Sequence, residues 1–352
     1  MSAIVRADVR LSGGNPLVSI CVPILNLLPY VDERMETILS QTYWNLEIIV
    51  RDSYSDDGTW ERIQHYAQFD PRIDAKQIPR DGLYQALNRT IASARGKWIY
   101  IAMGDDTMTP DCIELMISGV NHEPSARIVH SGLRVIGESG EQIEPRWEAR
   151  PAPRFMRSHN DVRHLRAAPF DGICGMAFFG AWTSLTQLLI RADVFDQTGY
   201  FPTKYGPFGD LAWGIKAGLI FDTVHVPFFL ATWRKHPGQA SQKDRFQKAR
   251  ATGELAAIVD EAMRFLAKAF PFRYRQVRRL GARYVAAGDW LRSANGFRRI
   301  SAFLSLALQH PMVLLRYRTL GSPFYRLETL AEEVRRDLTS LGVGIEEQRL
   351  DP

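Results

Sequence analysis

Two adjacent carboxylates, Asp105 and Asp106, directly follow an apolar segment of the chain. Neighbouring carboxylates repel each other unless a cation or hydrogen-bond donors compensate their charge. Hard divalent ions such as Mg²⁺ or Mn²⁺ take oxygen ligands and commonly bridge carboxylates to a diphosphate. The pair therefore predicts a divalent-metal site or, as the simpler alternative, a Gly-Asp-Asp turn before the next helix.

The elements that must position these residues alternate between strands and helices. Short β-branched apolar runs predict buried strands, and apolar residues at helical spacing predict helices between them. The strands are predicted over residues 17–25, 46–50, 73–78, 97–103 and 126–136, and helices over 30–41, 82–95 and 110–120. This order is typical of an α/β fold with a doubly wound, mostly parallel sheet flanked by helices.

Polar residues recur where the predicted strands end. On such sheets, ligands bind beyond the carboxyl ends of the strands. The sequence therefore predicts one ligand site that combines Asn26, Asp52, Asp81, Asp105 and Asp106.

Composition excludes several classes of protein. The 352 residues carry a net charge of +5 and ordinary apolar, Gly and Pro fractions, so collagen-like and wholly disordered chains are excluded. Three widely spaced cysteines argue against a disulfide framework or a structural zinc site and are typical of a reducing cytoplasm. Neither a secretory signal nor an apolar run long enough for a membrane span is predicted. We therefore expect a cytoplasmic protein.

Residues with a recognisable order and spacing recur over residues 17–106: Pro23, Asn26, Thr37, Gln41-Thr42-Tyr43, Asp52, Asp57-Gly58-Thr59, Gly82, Ala86, Asn88, Gly96 and Asp105-Asp106. Their order and spacing resemble those of the family 2 glycosyltransferases of the GT-A fold. The Arg80-Asp81-Gly82-Leu83-Tyr84 segment is similar to that of enzymes that build bacterial surface polysaccharides and lipopolysaccharide. The sequence departs from the family pattern at Ser53 and Met103, where carboxylates or amides are usual.

The resemblance implies a role for each matching residue. Asp52 would accept a hydrogen bond from the base of the nucleotide, and Asp105 would bind the metal, Mn²⁺ or Mg²⁺. In a loop similar to the family's Arg-x-His motif, His236 would contact phosphate or be a further metal ligand. Donor-binding roles are implied for Pro23, Asn26, Arg80, Asp81, Asp106 and Arg234.

The second half of the chain resembles the acceptor half of these enzymes. Asp210 follows a Gly-Tyr-Phe segment at the predicted start of a helix, where the family places its general base. Inverting transfer needs a carboxylate near the acceptor hydroxyl. The alternative is that Asp210 only caps the helix. Trp182 is predicted either to stack on a sugar or to pack in the core.

Three regions are predicted. Residues 1–15 form a tail, and residues 16–245 form the catalytic domain, with a donor half to about 125 and an acceptor half beyond. Residues 246–352 form a helical region whose apolar segment 300–315 and arginines would either contact anionic inner-membrane lipid peripherally or pack on the catalytic domain. Packing on a second subunit would make the protein a homo-oligomer. Nucleic-acid binding is not predicted, because no recognition motif accompanies the charge.

The predicted function is metal-dependent, inverting transfer of a sugar from a nucleotide-diphosphate donor, in particular a UDP-sugar, to a glycan or lipid-linked acceptor. One alternative is a non-catalytic relative that acts as a binding or assembly partner, for which Ser53 and Met103 argue. A second alternative, a sugar nucleotidyltransferase, would need a glycine-rich basic loop after the first strand, where the sequence has LNLLPYVDER.

Overall fold

The computed structural model describes residues 15–239, 253–292 and 327–347. Within them, a single sheet is built from β1 (Val18–Ile24), β2 (Leu46–Asp52), β3 (Ile73–Gln77), β4 (Trp98–Ile101), β5 (Ile128–Ile136), β6 (His164–Arg166), β7 (Leu188–Arg191), β8 (Thr223–Arg234) and β9 (Ile345–Glu347). The helices are α1 (Leu28–Leu39), α2 (Thr59–Phe69), α3 (Leu83–Ala92), α4 (Cys112–His122), α5 (Pro151–Met156), α6 (Phe170–Phe178), α7 (Asp193–Thr198), α8 (Gly209–Ile220), α9 (Gly253–Ala269), α10 (Pro271–Arg292) and α11 (Leu327–Ser340).

The sheet has the order β3-β2-β1-β4-β7-β5-β8-β6-β9. Strands β1 to β4 pair in parallel, as do β5 and β8, whereas β7 lies antiparallel between β4 and β5. Every residue of β1, β2 and β4 is buried, because helices cover both faces of the sheet. The predicted α/β class, with a mostly parallel sheet flanked by helices, is confirmed.

Residues 145–175 contain Pro, Arg and Gly without clear periodicity, and this pattern predicts an irregular active-site loop. The structure differs from that prediction. The segment contains α5, β6 and most of α6, and every residue of α6 is buried. Helical periodicity is lost when a short helix is covered on all sides, so the sequence carried no amphipathic signal here.

Part of the C-terminal region packs against this segment. Leu255 and Ile258 of α9 and Leu330 and Val334 of α11 join the apolar core formed by α6 and α8. The predicted lipid-contacting segment 300–315 lies outside the described residues. No helix in the described parts of the chain is long and apolar enough to cross a membrane.

A row of histidines is buried between β5, β6 and β8. His225 Nε2 lies 2.9 Å from the carbonyl oxygen of Asn160, so this nitrogen carries the proton and leaves Nδ1 as an acceptor for the Nδ1–H of His130, 2.9 Å away. The ring of His164 lies 4.8 Å from that of His225. Burial, reinforced by the Arg166 charge, lowers the pKa of His164 to about 2 and that of His225 to about 3.

This cluster predicts acid-sensitive folding. In the unfolded chain, His164 and His225 bind protons as the pH falls below about 6.5. In the folded chain both stay neutral there, because their pKa values are lowered. The folded state therefore has its full stability above about pH 6.5 and loses stability as the pH falls below that value. Between pH 7 and pH 5 the free energy of unfolding should fall by about 2 kcal/mol for each histidine. Urea unfolding measures this slope, which His225→Gln should reduce and His65→Gln, at an exposed position, should not. An equal slope in wild type and His225→Gln would contradict the prediction.

Candidate active site

The turn after β1 is held against the loop that follows β2. Asn26 adopts a φ of 51°, and its side-chain amide donates to Asp56 at 2.8 Å and accepts the Asp56 N–H at 3.0 Å. The Asn26 N–H donates to Ser55 Oγ at 2.8 Å. Asparagine tolerates a positive φ and forms hydrogen bonds with backbone groups. Asn26 therefore joins two loops at the carboxyl ends of neighbouring strands.

Two further predicted residues hold the same loop. Asp52 is fully buried, and its carboxylate accepts hydrogen bonds from Ser55 N–H at 2.9 Å and from Gln77 Nε2 at 3.2 Å. Arg80 donates to the carbonyl oxygen of Ser53 at 3.1 Å and to that of Tyr54. The structure thus brings Asn26, Asp52 and Arg80 together around residues 53–56.

The loop exposes an aromatic ring that sequence reasoning missed. Tyr54 has a φ of 54° and is 57% exposed, although it lies between the buried Ser53 and Ser55, whose N–H donates to Asp52. A bulky residue at positive φ is unusual and marks a conformation imposed by its neighbours. Nothing in the residue pattern distinguished Tyr54 from an ordinary turn residue.

Two predicted donor-binding residues are engaged elsewhere. Asp81 forms an ion pair with Arg89 of α3, with Nη2 and Oδ2 2.5 Å apart. Pro23 is buried within β1, opposite Arg51 of β2. The structure does not join either side chain to the other predicted site residues.

The two predicted metal ligands meet after β4 and β8. Nε2 of His236 lies 3.1 Å from Oδ2 of Asp105, and the two side chains are only 8% and 14% exposed. The ring of His236 also contacts that of Tyr30, with centroids 4.8 Å apart. Asp105 and His236, which are 131 positions apart in the sequence, therefore form a carboxylate–imidazole pair at the carboxyl ends of the parallel strands.

Asp106 lies beneath this pair. Its carboxylate accepts the Arg234 N–H at 2.9 Å and the Thr186 hydroxyl at 3.2 Å, and the side chain is buried. Burial, followed by the charge of Asp105, raises the pKa of Asp106 well above its usual range. Asp106 thus ties the end of β4 to β8 and to the segment before β7, and its carboxylate faces protein groups.

The guanidinium of Arg234 is also held by protein groups. It donates to the carbonyl oxygen of Asp105 at 2.8 Å and to that of Glu138 at 2.9 Å, and it pairs with Glu33 at 2.5 Å. Arg234 is 2% exposed. In this arrangement the Arg234 guanidinium contacts the backbone of Asp105, and its contact with the donor stays a prediction.

The Asp105–His236 pair fits a divalent ion only in part. Among the described residues, no group of three or more His, Cys, Asp or Glu side chains surrounds a common point. The pair supplies one carboxylate oxygen and one imidazole nitrogen, both of which are accepted by Mn²⁺. A metal held here would need oxygen atoms from a bound diphosphate or from water to complete its ligands.

Asp210 lies in the first turn of α8, as predicted. Its Oδ1 accepts the N–H of Leu211 at 2.7 Å, and the residue is half-buried. Burial raises the pKa of Asp210, and the hydrogen bond from the Leu211 N–H acts in the opposite direction. A raised pKa makes a carboxylate better able to accept a proton.

The Trp182 ring lies against α8 close to Asp210. A Cβ atom at Gly214 would lie 3.4 Å from this ring, which is the distance of a van der Waals contact. Trp182 also contacts Trp213, with ring centroids 6.2 Å apart, and its buried indole N–H has no hydrogen-bond acceptor among the described residues. Both the stacking and the packing predictions for Trp182 are compatible with this position.

Comparison with known proteins identifies the family. The model of glycosyl transferase family 2 matches residues 19–181. An uncharacterized glycosyltransferase of Haemophilus influenzae is 32% identical over 229 residues, which cover 64% of this chain and 68% of the relative. The chain therefore belongs to glycosyl transferase family 2.

Other relatives share only parts of their length with the chain. Chondroitin synthase of Pasteurella multocida is 29% identical over 128 residues, which are 36% of this chain and 13% of the synthase.

A solved structure is similar over nearly its whole length. The crystal structure of S. aureus TarS 1–349 in complex with UDP-GlcNAc superimposes with a TM-score of 0.61 at 13% identity and covers 96% of this chain and 98% of that one. At this identity the likeness establishes the GT-A-like fold alone.

Proposed function

We propose that the protein transfers a sugar, with inversion, from a nucleotide-diphosphate donor to a glycan or lipid-linked acceptor in bacterial surface-polysaccharide synthesis. The observation that carries the proposal is the approach of His236 to Asp105 at the carboxyl ends of the parallel strands. Membership of the family supports the reaction type. The complex of the TarS structure with UDP-GlcNAc supports a UDP-sugar as the donor.

The donor half would bind the nucleotide. The loop held by Asn26, Asp52 and Arg80 would receive the base and ribose, because it lies at the carboxyl ends of β1 and β2. Asp105 and His236 would hold Mn²⁺ or Mg²⁺, which offsets the charge of the leaving diphosphate when it is bound. Asp106 and Arg234 would keep this pair in position through their buried hydrogen bonds.

Asp210 would act as the general base. It would take the proton of the acceptor hydroxyl while the acceptor oxygen bonds to C1 of the sugar. The bond between C1 and the diphosphate oxygen breaks on the opposite side, so an α-linked donor gives a β-linked product. The diphosphate leaves with the electron pair of the broken bond.

Calorimetric titration with UDP-, GDP- and dTDP-sugars, with and without Mn²⁺, tests the donor site. We expect saturable binding of UDP-sugars that is tighter with Mn²⁺. Preference for another nucleotide would correct the donor, and absence of binding by all three would favour the non-catalytic partner over the enzyme.

A further inference from the structure

Helix α3 holds the chain segment that leads to Asp210. Asn88 donates from Nδ2 to the carbonyl oxygen of Phe201 at 2.9 Å and accepts the Phe201 N–H at 3.0 Å. Four residues earlier on the same face of α3, the hydroxyl of Tyr84 donates to the carbonyl oxygen of Pro207 at 3.2 Å. Both ends of the segment 201–207 are thus fixed by one helix.

The Tyr84 ring is enclosed by this segment. It stacks on Phe201 with centroids 5.9 Å apart and is 8% exposed. A Cβ atom at Gly209, the first residue of α8, would lie 2.8 Å from two carbon atoms of the ring. Glycine at position 209 therefore permits the ring to contact the helix start that carries Asp210.

The single proton of the Tyr84 hydroxyl is donated to the carbonyl oxygen of Pro207, three residues before Asp210. A phenylalanine at position 84 would keep the ring packing and lose only this hydrogen bond.

The start of α3 follows the donor loop directly. Arg80, which donates to the carbonyl oxygens of residues 53 and 54, precedes Tyr84 by four residues. The short segment from Arg80 to Asn88 therefore contacts the proposed nucleotide loop at one end and the segment that leads to the proposed base at the other.

We propose that Tyr84 and Asn88 are positioning residues for the general base: Asn88 fixes the start of the segment that leads to α8, and Tyr84 fixes the end of that segment, next to Asp210. This inference rests on the proposed function. The partners of Tyr84 and Asn88, Pro207 and Phe201, come close to α3 only in the folded protein.

Tyr84→Phe tests the position of the base, with Tyr43→Phe as the matched control. Tyr43 is also buried and donates to a backbone carbonyl, that of Pro16, at 2.6 Å. In Tyr84→Phe, kcat should fall about fivefold with the donor KM unchanged, because the hydrogen bond that fixes the end of the segment before Asp210 is lost. An unchanged kcat, or the same fall in Tyr43→Phe, would overturn the proposal.

Hydrogen exchange in Tyr84→Phe separates this inference from the proposed function. Exchange of the amide groups in residues 205–210 is recorded in wild type, Tyr84→Phe and Tyr43→Phe. Exchange should accelerate in Tyr84→Phe alone, whether or not any donor is turned over. Unchanged exchange would overturn the positioning role, while an inactive wild type with accelerated exchange in Tyr84→Phe would overturn only the proposed function.

Hydrogen exchange tests the part of Asn88. Asn88→Ala removes both contacts with Phe201, so exchange of the amide groups in residues 201–210 should accelerate and kcat should fall with donor affinity retained. Asn45→Ala, which removes a side-chain hydrogen bond to the carbonyl oxygen of Asn15, provides the control. Unchanged exchange in residues 201–210 would contradict the role of Asn88.

Discussion

Replacing Asp210 by asparagine is expected to lower kcat by about 10²–10⁴-fold and to leave donor affinity unchanged. Asparagine keeps the size of the side chain, so the start of α8 should be preserved. The amide cannot accept the proton of the acceptor hydroxyl. Steady-state rates and calorimetric donor affinities, measured on the same preparations, separate these two effects.

Asp196→Asn is the matched control for this change. Asp196 is an exposed carboxylate in the first turn of α7, so its replacement alters charge at a helix start outside the site. Its kcat should equal that of wild type. Since burial raises the pKa of Asp210, the wild-type rate should fall on acidification at a pH above the usual aspartate value of about 3.9. Full activity of Asp210→Asn would exclude Asp210 as the base.

Replacing Asp105 by alanine is expected to abolish the effect of Mn²⁺ on donor binding. Asp105 supplies the carboxylate of the Asp105–His236 pair, and a lone imidazole holds Mn²⁺ weakly. The Mn²⁺-dependent affinity for the donor should fall by at least about 10–100-fold, the range found even when an outer partner of a metal ligand is removed. Calorimetry with and without Mn²⁺ measures the difference.

Two comparisons make the Asp105 result specific. Asp260→Ala removes an exposed carboxylate of α9 that pairs with Arg264 and should bind donor and metal as wild type does. His236→Gln should weaken the Mn²⁺ effect in the same direction as Asp105→Ala. If Mn²⁺ enhances donor binding equally in wild type and Asp105→Ala, the metal is held by other groups.

The strand ends and their polar residues could be predicted from the sequence. Buried parallel strands read as continuous apolar runs, and the carboxyl ends of neighbouring parallel strands meet at one edge. Asn26 and Asp52 therefore converge as expected, together with Arg80. The meeting of Asp105 with His236 required the family resemblance, because nothing local relates residues so far apart in the chain.

The direction in which a side chain faces could not be predicted. Asp106 and Arg234 turn inward because partners from distant segments, Thr186 and Glu33, satisfy them there. The roles of Tyr84 and Asn88 depend in the same way on a segment more than a hundred residues later. Motif spacing identifies such residues as candidates, and only tertiary contacts decide between a ligand contact and a positioning role.

Proton NMR of the sugar first released from an α-linked UDP-sugar tests the central claim most directly. Water replaces the acceptor, so no acceptor need be known, and the anomer is recorded before it equilibrates. Inverting transfer with Asp210 as the base predicts that the β-anomer appears first with Mn²⁺ present and that Asp210→Asn releases almost none. Initial release of the α-anomer, equal release by Asp210→Asn, or no release from a donor that binds would contradict the account.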